Sequence, residues 1–313
     1  MARKTLCRTG ASMSKLGIIQ SRGLGDILIA LPIAKYYVDN FQDEVYWPIC
    51  EEFWPSLKDN APWVHWIPLP ADGMGDFFYT EPMKRLKNFN VDEIICLYQS
   101  LNVVPELAQV PWFQFQKFDE FKYTKAGVPF IKKWTLDECI TLDLPRSNAL
   151  RDKLVSQADY YVTHVTGSTF SVNPDLSGMP PEWQRIDINQ TTQTNNIWDW
   201  FTILQGAKAV VLIDSVFSNM IDLMPNHFVD VDKYFIPRSH IHLTPVLGSN
   251  WTILDAPPGS GAAQVIFTSN PPPPPPLKLW QPLTPNKSLV PTNMNTRDII
   301  PRQPGMLIPP KLG

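Results

Sequence analysis

Residues 16–34 read LGIIQSRGLGDILIALPIA and decide the fold. The first five are a short β-rich run, residues 22–25 are turn formers, and the apolar residues after Asp26 recur at helical spacing. We therefore predict a strand over 16–20, a glycine loop and a helix over 26–38. Pro32 falls inside this helix and is expected to kink it or to mark a first-turn boundary.

The same alternation continues along the chain. Further strand patterns occur at 45–49, 64–68 and 93–98, and helical patterns at 51–57 and 82–88. After a helical stretch at 148–157, a second set follows, with strands at 160–165, 185–188, 209–213 and 227–231 and helices at 197–205 and 216–223. Such alternation predicts an α/β fold with two Rossmann-like domains of parallel strands and a ligand cleft at their carboxyl ends. Residues 100–140 show no clear period and predict irregular structure with short helices.

Length and proline content indicate the domain organisation. At about 150 residues per domain, 313 residues predict two domains. We place an N-terminal domain at 1–145, a C-terminal domain at 146–254 and an extended tail at 255–313. The tail holds 15 of the 32 prolines, six of them consecutive at 271–276, which predicts a polyproline II rod. Apolar residues punctuate the tail, so it is expected to lie along a surface, its own or that of a protein partner.

Composition excludes several classes of protein. No apolar stretch approaches the roughly 20 residues of a membrane-spanning helix. A net charge of −3 and a pI near 6.0 argue against a uniformly basic nucleic-acid binder. No secretory signal follows the basic N-terminus, so we expect a cytoplasmic protein. Four widely separated cysteines fit reduced, mostly buried thiols better than a disulfide framework or a zinc site.

The glycine loop is the first candidate site. Glycines between a strand and a helix let backbone N–H groups at the helix N-terminus approach an anion or a substrate oxygen closely. Asp26 follows Gly25 in the first helical turn, where a carboxylate can act as a general base. The alternative is that Asp26 only caps the helix and complements its dipole.

Two later segments have chemistry suited to phosphate. His164-Val-Thr-Gly-Ser168 ends a predicted strand, and Thr166 and Ser168 can donate hydrogen bonds while Gly167 permits close backbone approach. A simple Gly-Ser turn is the alternative. Residues 210–215 are a buried strand that ends in Asp214-Ser215, and the N-terminus of the helix that follows can hold an anion.

Taken in order, these three motifs resemble family 9 of the glycosyltransferases, the heptosyltransferase-like enzymes, which have the GT-B fold and transfer sugar with inversion. The resemblance implies that Asp26 is the catalytic base, that a nucleotide-sugar is the co-substrate and that no metal cofactor is needed. The candidate donor-binding residues are then Gly25, Thr166, Gly167, Ser168, Arg185, Asp214, Ser215 and Asn219. Val216 and Asn219 stand where the family has a glycine and a histidine. Arg185 or Arg22 could replace a family lysine.

The leading hypothesis is thus an inverting, metal-independent glycosyltransferase. Its acceptor is a glycan or hydroxymethylated DNA, the latter consistent with a phage-encoded enzyme in the cytoplasm of a bacterial host. Arg22 and Lys35 are candidate acceptor-binding residues, within a basic groove that would favour DNA. The other members of that groove are Lys84, Arg85, Lys87, Lys117 and Lys122. The alternative is a catalytically inactive GT-B-like interaction protein that docks through its proline-rich tail.

Other motifs are weaker. Residues 230–232 form an Asp-x-Asp string that could bind a metal diphosphate, although a solvated acidic pair is the more ordinary interpretation. His240 and His242 have a spacing usable for metal binding but lack a third ligand cluster. The chain has no Gly-x-Ser-x-Gly, His-Glu-x-x-His or Walker A motif, so the commonest hydrolases and NTPases are excluded.

Overall fold

The computed structural model describes residues 13–70, 77–98, 117–167, 171–191, 193–237, 244–248 and 250–254. Within these residues the strands form two sheets, and every strand pair in them is parallel. The predicted α/β class with two sets of parallel strands is confirmed. The predicted tail at 255–313 lies outside the described residues.

The first sheet and its helices make up what we call the N-terminal lobe. The strands have the order β3-β2-β1-β4, with β1 at Lys15–Ile19, β2 at Glu44–Cys50, β3 at Val64–Leu69 and β4 at Glu93–Cys96. The helices are α1 (Leu24–Phe41), α2 (Trp54–Leu57), α3 (Thr80–Asn88) and α4 (Phe118–Ala126). Short 3-10 turns lie at Glu51–Phe53, Phe130–Trp134 and Leu136–Glu138. Pro32 does not end α1, which continues through it to Phe41.

The second sheet defines the C-terminal lobe. The strands have the order β6-β5-β7-β8-β9, with β5 at Tyr160–His164, β6 at Gln184–Asp187, β7 at Ala209–Ile213, β8 at Asp232–Ile236 and β9 at Trp251–Ile253. The helices are α5 (Leu144–Leu154), α6 (Phe201–Gly206) and α7 (Val216–Leu223). The 3-10 turns are Ile188–Gln190, Ile197–Trp200 and Pro225–His227.

The predicted strand at 227–231 is wrong. Pro225 begins a 3-10 turn there, Val229 is 66% exposed, and the strand starts only at Asp232. Phe228 is fully buried, so this apolar residue packs into the core without joining the sheet. The Asp-x-Asp string therefore leads into β8, whose first residue is Asp232, instead of closing a strand. The strand β9 has no counterpart in the predictions, and His240 and His242 lie outside the described residues.

The two lobes share one hydrophobic core. A single cluster of buried side chains runs from Leu16 in β1 to Val231, beyond α7. Between the lobes, the indole Nε1 of Trp198 donates to the carbonyl of Ser56 at 2.7 Å, and Asn196 Nδ2 donates to Pro55 O at 3.0 Å. Continuous packing of this kind resists relative movement of the lobes, because separating them would expose buried apolar surface. The shared core thus holds elements of both lobes in fixed register around the site described next.

A buried lysine adds a polar link between the lobes. The Lys133 ammonium is fully buried and lies 2.9 Å from Asp119 Oδ2, at the start of α4, and 3.2 Å from Asp222 Oδ2 in α7. It also donates to the carbonyl of Val246. Removing one member of such a buried network leaves the other charges without a partner and strongly destabilises the fold.

Candidate active site

A cavity of about 800 Å³ lies where residues of the two lobes meet. Its walls come from the glycine loop and α1, from the turn after β2, from α4, from the segment after β5, and from the start of α7. The lining residues are Arg22, Gly23, Leu24, Gly25, Asp26, Glu52, Phe53, Phe118, His164, Thr166, Gly167, Asp214, Ser215, Val216 and Asn219. The cavity thereby brings together all three sequence motifs, which lie up to about 190 residues apart in the chain.

The N-terminus of α1 carries the first candidate group. Gly23 precedes this helix with φ of 77°, a left-handed conformation that costs a residue with a Cβ considerably more than glycine. A Cβ at this position would also lie only 2.7 Å from Asp26 Oδ2. The glycine therefore permits a turn that brings the carboxylate back against the loop. Asp26 lines the cavity with 39% of its side chain exposed.

One oxygen of Asp26 is held by a buried lysine. The Lys122 ammonium, on α4, lies 3.1 Å from Asp26 Oδ1, and its side chain is only 3% exposed. It also donates to Gln20 Oε1 at 2.6 Å and to the carbonyl of Leu97 at 3.3 Å. These three acceptors match the three N–H bonds of an ammonium group. Asp26 Oδ1 is thus anchored, which leaves Oδ2 as the oxygen available to a substrate proton.

The N-terminus of α7 forms the second wall. Ser215 caps this helix: its hydroxyl accepts from the backbone N–H of Ser218, and its own backbone N–H donates to Ser218 Oγ at 2.9 Å. The remaining N–H groups of the first turn and the helix dipole favour an anion at this end. Asn219 lines the cavity with 6% exposure, and we find no side-chain hydrogen bond to it within the described part of the chain.

The two helix ends are in direct contact. A Cβ on Gly25 would lie 2.6 Å from Asn219 Nδ2 and 3.5 Å from the Cα of Val216. Only glycine lets α1 and α7 approach this closely, because a methyl group would push the carboxamide away. Gly25 therefore places the Asp26 turn directly beside the α7 N-terminus.

His164 completes the floor of the cavity at the end of β5. Its Nδ1 lies 3.0 Å from Ser215 Oγ, and its ring packs edge-on against Phe217. Burial lowers the pKa of His164 to about 4, against a smaller opposing influence of Asp187. The imidazole is therefore neutral near pH 7, and it helps to orient the capping hydroxyl of Ser215 without adding charge.

The segment after β5 is held by a residue that no motif singled out. Asn189 Oδ1 accepts the backbone N–H groups of Val165 and Thr166, both at 3.0 Å, and its Nδ2 donates to the carbonyl of Thr166 at 2.6 Å. The hydroxyl of Thr166 is 3.0 Å from that of Ser171. Thr166 and Gly167 line the cavity, whereas Ser168 lies outside the described residues.

Two predicted site residues lie elsewhere. Arg185 Nη2 pairs with Asp187 Oδ2 at 2.9 Å and Nε donates to Thr163 Oγ1 at 3.3 Å, so its guanidinium is engaged along β6 and does not line the cavity. Lys35 lies near the middle of α1 and pairs with Asp39. Arg22, the other candidate cation, does line the cavity.

The predicted basic groove is not a continuous surface. Lys122 is buried against Asp26, and Lys117 donates to Thr244 Oγ1 and Pro245 O. On α3, Lys84 and Arg85 both pair with Glu81. Most of these cations are therefore already committed to acceptors within the protein.

The described residues include neither a candidate metal site nor a candidate membrane span. Among these residues, no three His, Cys, Asp or Glu side chains are placed to hold a metal ion together. No helix in the same part of the chain combines the length and apolar character that a membrane span requires.

Comparison with known proteins finds no match among family models and none among curated proteins. Among solved structures, the chain resembles a glycosyl transferase family 9 protein from Veillonella parvula DSM 2008, with a TM-score of 0.47 and 10% identity over 78% of this chain and 86% of that one. It also resembles the Escherichia coli heptosyltransferase WaaC with ADP-2-deoxy-2-fluoro heptose, with a TM-score of 0.42 and 14% identity; the match covers 78% of this chain and 93% of that one. A third similar structure is the iron-containing dodecameric glycosyltransferase TibC from enterotoxigenic E. coli H10407, with a TM-score of 0.47 and 10% identity; the match covers 79% of this chain and 66% of that one.

Proposed function

We propose that this chain is a glycosyltransferase that moves a sugar from a nucleotide-sugar to an acceptor hydroxyl with inversion and without a metal ion. The observation that carries the proposal is the contact between two helix ends, one bearing a carboxylate and the other suited to an anion. Asp26 lines the same cavity as the start of α7, and Gly25 brings the two together.

The proposed reaction is a single displacement. The acceptor oxygen attacks the anomeric carbon as Asp26 Oδ2 takes its proton, and the bond from that carbon to the diphosphate oxygen breaks. The electron pair of the broken bond leaves with the nucleoside diphosphate. Because one step replaces one bond at the anomeric carbon from the opposite face, the configuration inverts.

Fixed dipoles and one cation would stabilise the departing diphosphate. The first-turn N–H groups of α7, the carboxamide of Asn219 and the hydroxyl of Thr166 are the proposed donors, with Gly167, Asp214 and Ser215 shaping the same wall. Arg22 is the guanidinium of the lining and would offset part of the diphosphate charge. Preorganised donors of this kind need no reorganisation as charge develops.

Thermal unfolding against a panel of nucleotide-sugars tests the proposal. A donor at 100 times its dissociation constant should add about 2.7 kcal/mol to the free energy of unfolding. Asn219→Leu keeps the side-chain size but removes the carboxamide, so it should reduce this ligand-dependent increase. A variant with the same substitution at Asn195, which does not line the cavity, serves as the control. If no donor raises the unfolding temperature, the proposal fails and the inactive interaction protein becomes the better hypothesis.

A further inference from the structure

The cavity wall beside Asp26 indicates the class of acceptor, an inference that rests on the proposed function. On the N-terminal lobe, the charged and aromatic residues of this wall are Arg22, Asp26, Glu52, Phe53 and Phe118. Glu52 and Phe53 belong to the turn that follows β2, and Phe118 begins α4. These residues line the same cavity as the proposed base, to which the acceptor hydroxyl must bind.

The charge of this wall is unsuited to a polyanion. Glu52 is exposed, and we find no ion pair or side-chain hydrogen bond to it within the described ranges. Lys122 directs its three N–H bonds to protein acceptors, so its charge is already balanced by Asp26. With Asp26 paired in this way, the other lining carboxylates are Glu52 and Asp214, against one lining cation, Arg22.

The diphosphate of the donor would already require Arg22. A phosphorylated or otherwise anionic acceptor would therefore meet repulsion from Glu52, and the described lining residues include no second cation to offset it.

The remaining features of the wall suit a neutral sugar. A carboxylate accepts hydrogen bonds from hydroxyl groups, and charge-assisted bonds of this kind are strong. Phe53 and Phe118 are half-buried and line the cavity, and their rings can cover the apolar C–H face of a pyranose. We propose that the acceptor is an uncharged polyhydroxyl compound, a neutral sugar, whose hydroxyls are bound by Glu52 and whose ring packs on Phe53 and Phe118.

Duplex DNA is the main competing acceptor, and the structure disfavours it. A protein that binds duplex DNA neutralises several phosphates with lysine and arginine side chains. Here Lys35, Lys84 and Arg85 are paired with carboxylates, and Lys122 is buried. None of these four cations lines the cavity, so they offer no row of unpaired charges there for a phosphate backbone.

Acceptor competition on the full chain tests the proposal. With the nucleotide-sugar that stabilises the protein most, nucleoside diphosphate release is measured with several neutral sugars, with the 6-phosphate of each, and with duplex DNA containing 5-hydroxymethylcytosine. We expect kcat/KM for at least one neutral sugar to exceed that for its 6-phosphate and for the DNA by about tenfold or more. Equal or faster transfer to a phosphorylated sugar or to the DNA overturns the proposal.

Two matched variants test whether Glu52 causes the preference for a neutral acceptor. Glu52→Lys reverses the charge at the wall, so it should lower kcat/KM for the neutral sugar and raise it for the 6-phosphate, changing their ratio by about tenfold. Glu51→Lys makes the same change in net charge at the neighbouring residue, which does not line the cavity, and should change the ratio by less than about twofold. Equal effects of the two variants contradict a role for Glu52. If no donor releases nucleoside diphosphate with or without any acceptor, the proposed function itself fails.

Discussion

Replacing Lys122 by methionine should reveal how the proposed base is held. The substitution removes the ammonium that lies 3.1 Å from Asp26 Oδ1 but keeps most of the buried side-chain volume. Gln20 Oε1 and the carbonyl of Leu97 both lose a donor in the interior. An unsatisfied buried acceptor costs about 1–3 kcal/mol, so the loss of both bonds should lower the free energy of unfolding by about 2–6 kcal/mol. Asp26 adds little to this loss, because its exposed part can turn to water.

The effect on turnover should exceed that on donor binding. Without its anchor the carboxylate can rotate away from the acceptor hydroxyl, and a misplacement of about 1 Å can reduce the rate about 100-fold. We expect kcat for Lys122→Met to fall about 10-fold to 100-fold, with KM for the donor changed by less than about threefold. Kinetics are measured at a temperature where circular dichroism shows the variant to be folded.

Lys125→Met on the same helix is the matched control, since Lys125 is exposed and does not line the cavity. It should leave both the free energy of unfolding and kcat close to those of the parent chain. A folded Lys122→Met protein with unchanged kcat would refute the reasoning, because Asp26 would then need no anchor.

Three further predictions concern stability. Below pH 6.5 the unfolded chain protonates the His164 imidazole, while the folded chain resists protonation down to about pH 4. His164 should therefore make the free energy of unfolding fall by about 3 kcal/mol as the pH is lowered across that window. Denaturant melts of His164→Gln should lack this part of the loss, whereas melts of the control variant at exposed His65, His65→Gln, should keep it. Gly25→Ala should lower the free energy of unfolding by about 1–3 kcal/mol through its clash with Asn219, and Asn219→Ala in the same chain should restore part of it. Lys133→Met should cost about 3–5 kcal/mol in urea unfolding by leaving two buried carboxylates unpaired, and a loss below about 1 kcal/mol would contradict the described network.

Local patterns were sufficient to predict the elements that carry the helix N-termini. Residues 209–213 are a continuous apolar run followed by Asp-Ser, and the structure places β7 and α7 at the predicted bounds. A capping serine and a buried strand are both local signals. The strand–loop–helix at residues 15–41 was predictable for the same reason, apart from α1 beginning at Leu24 and running on to Phe41.

The error at 227–231 has a tertiary cause. His-Phe-Val-Asp-Val is rich in the aromatic and β-branched residues typical of strands, but pairing with β7 is made by Asp232 to Ile236. Phe228 turns into the core from a 3-10 turn, so its burial does not report sheet formation. Period alone does not distinguish a buried turn residue from a strand residue over so short a run.

The partners of the candidate base were not predictable in the same way. Lys122 is 96 positions from Asp26, and a lysine on a helix is ordinarily solvated, so no local pattern identifies it as an anchor. Asn189, which orders the segment after β5, likewise acts across 23 positions. The place of Glu52 at the site was predictable from the sequence, because this residue follows β2 and the carboxyl ends of parallel strands meet at one edge of the sheet.

Asp26→Asn is the most direct test of the account. The amide keeps the shape of the side chain but no longer takes a proton as a carboxylate does. With the best nucleotide-sugar and acceptor, we expect transfer to fall by at least about 100-fold, while donor-dependent thermal stabilisation stays within the error of the parent chain. Asp39→Asn, an exposed residue on the same helix, should leave both unchanged. Undiminished transfer by folded Asp26→Asn would contradict the central claim that this carboxylate is the base.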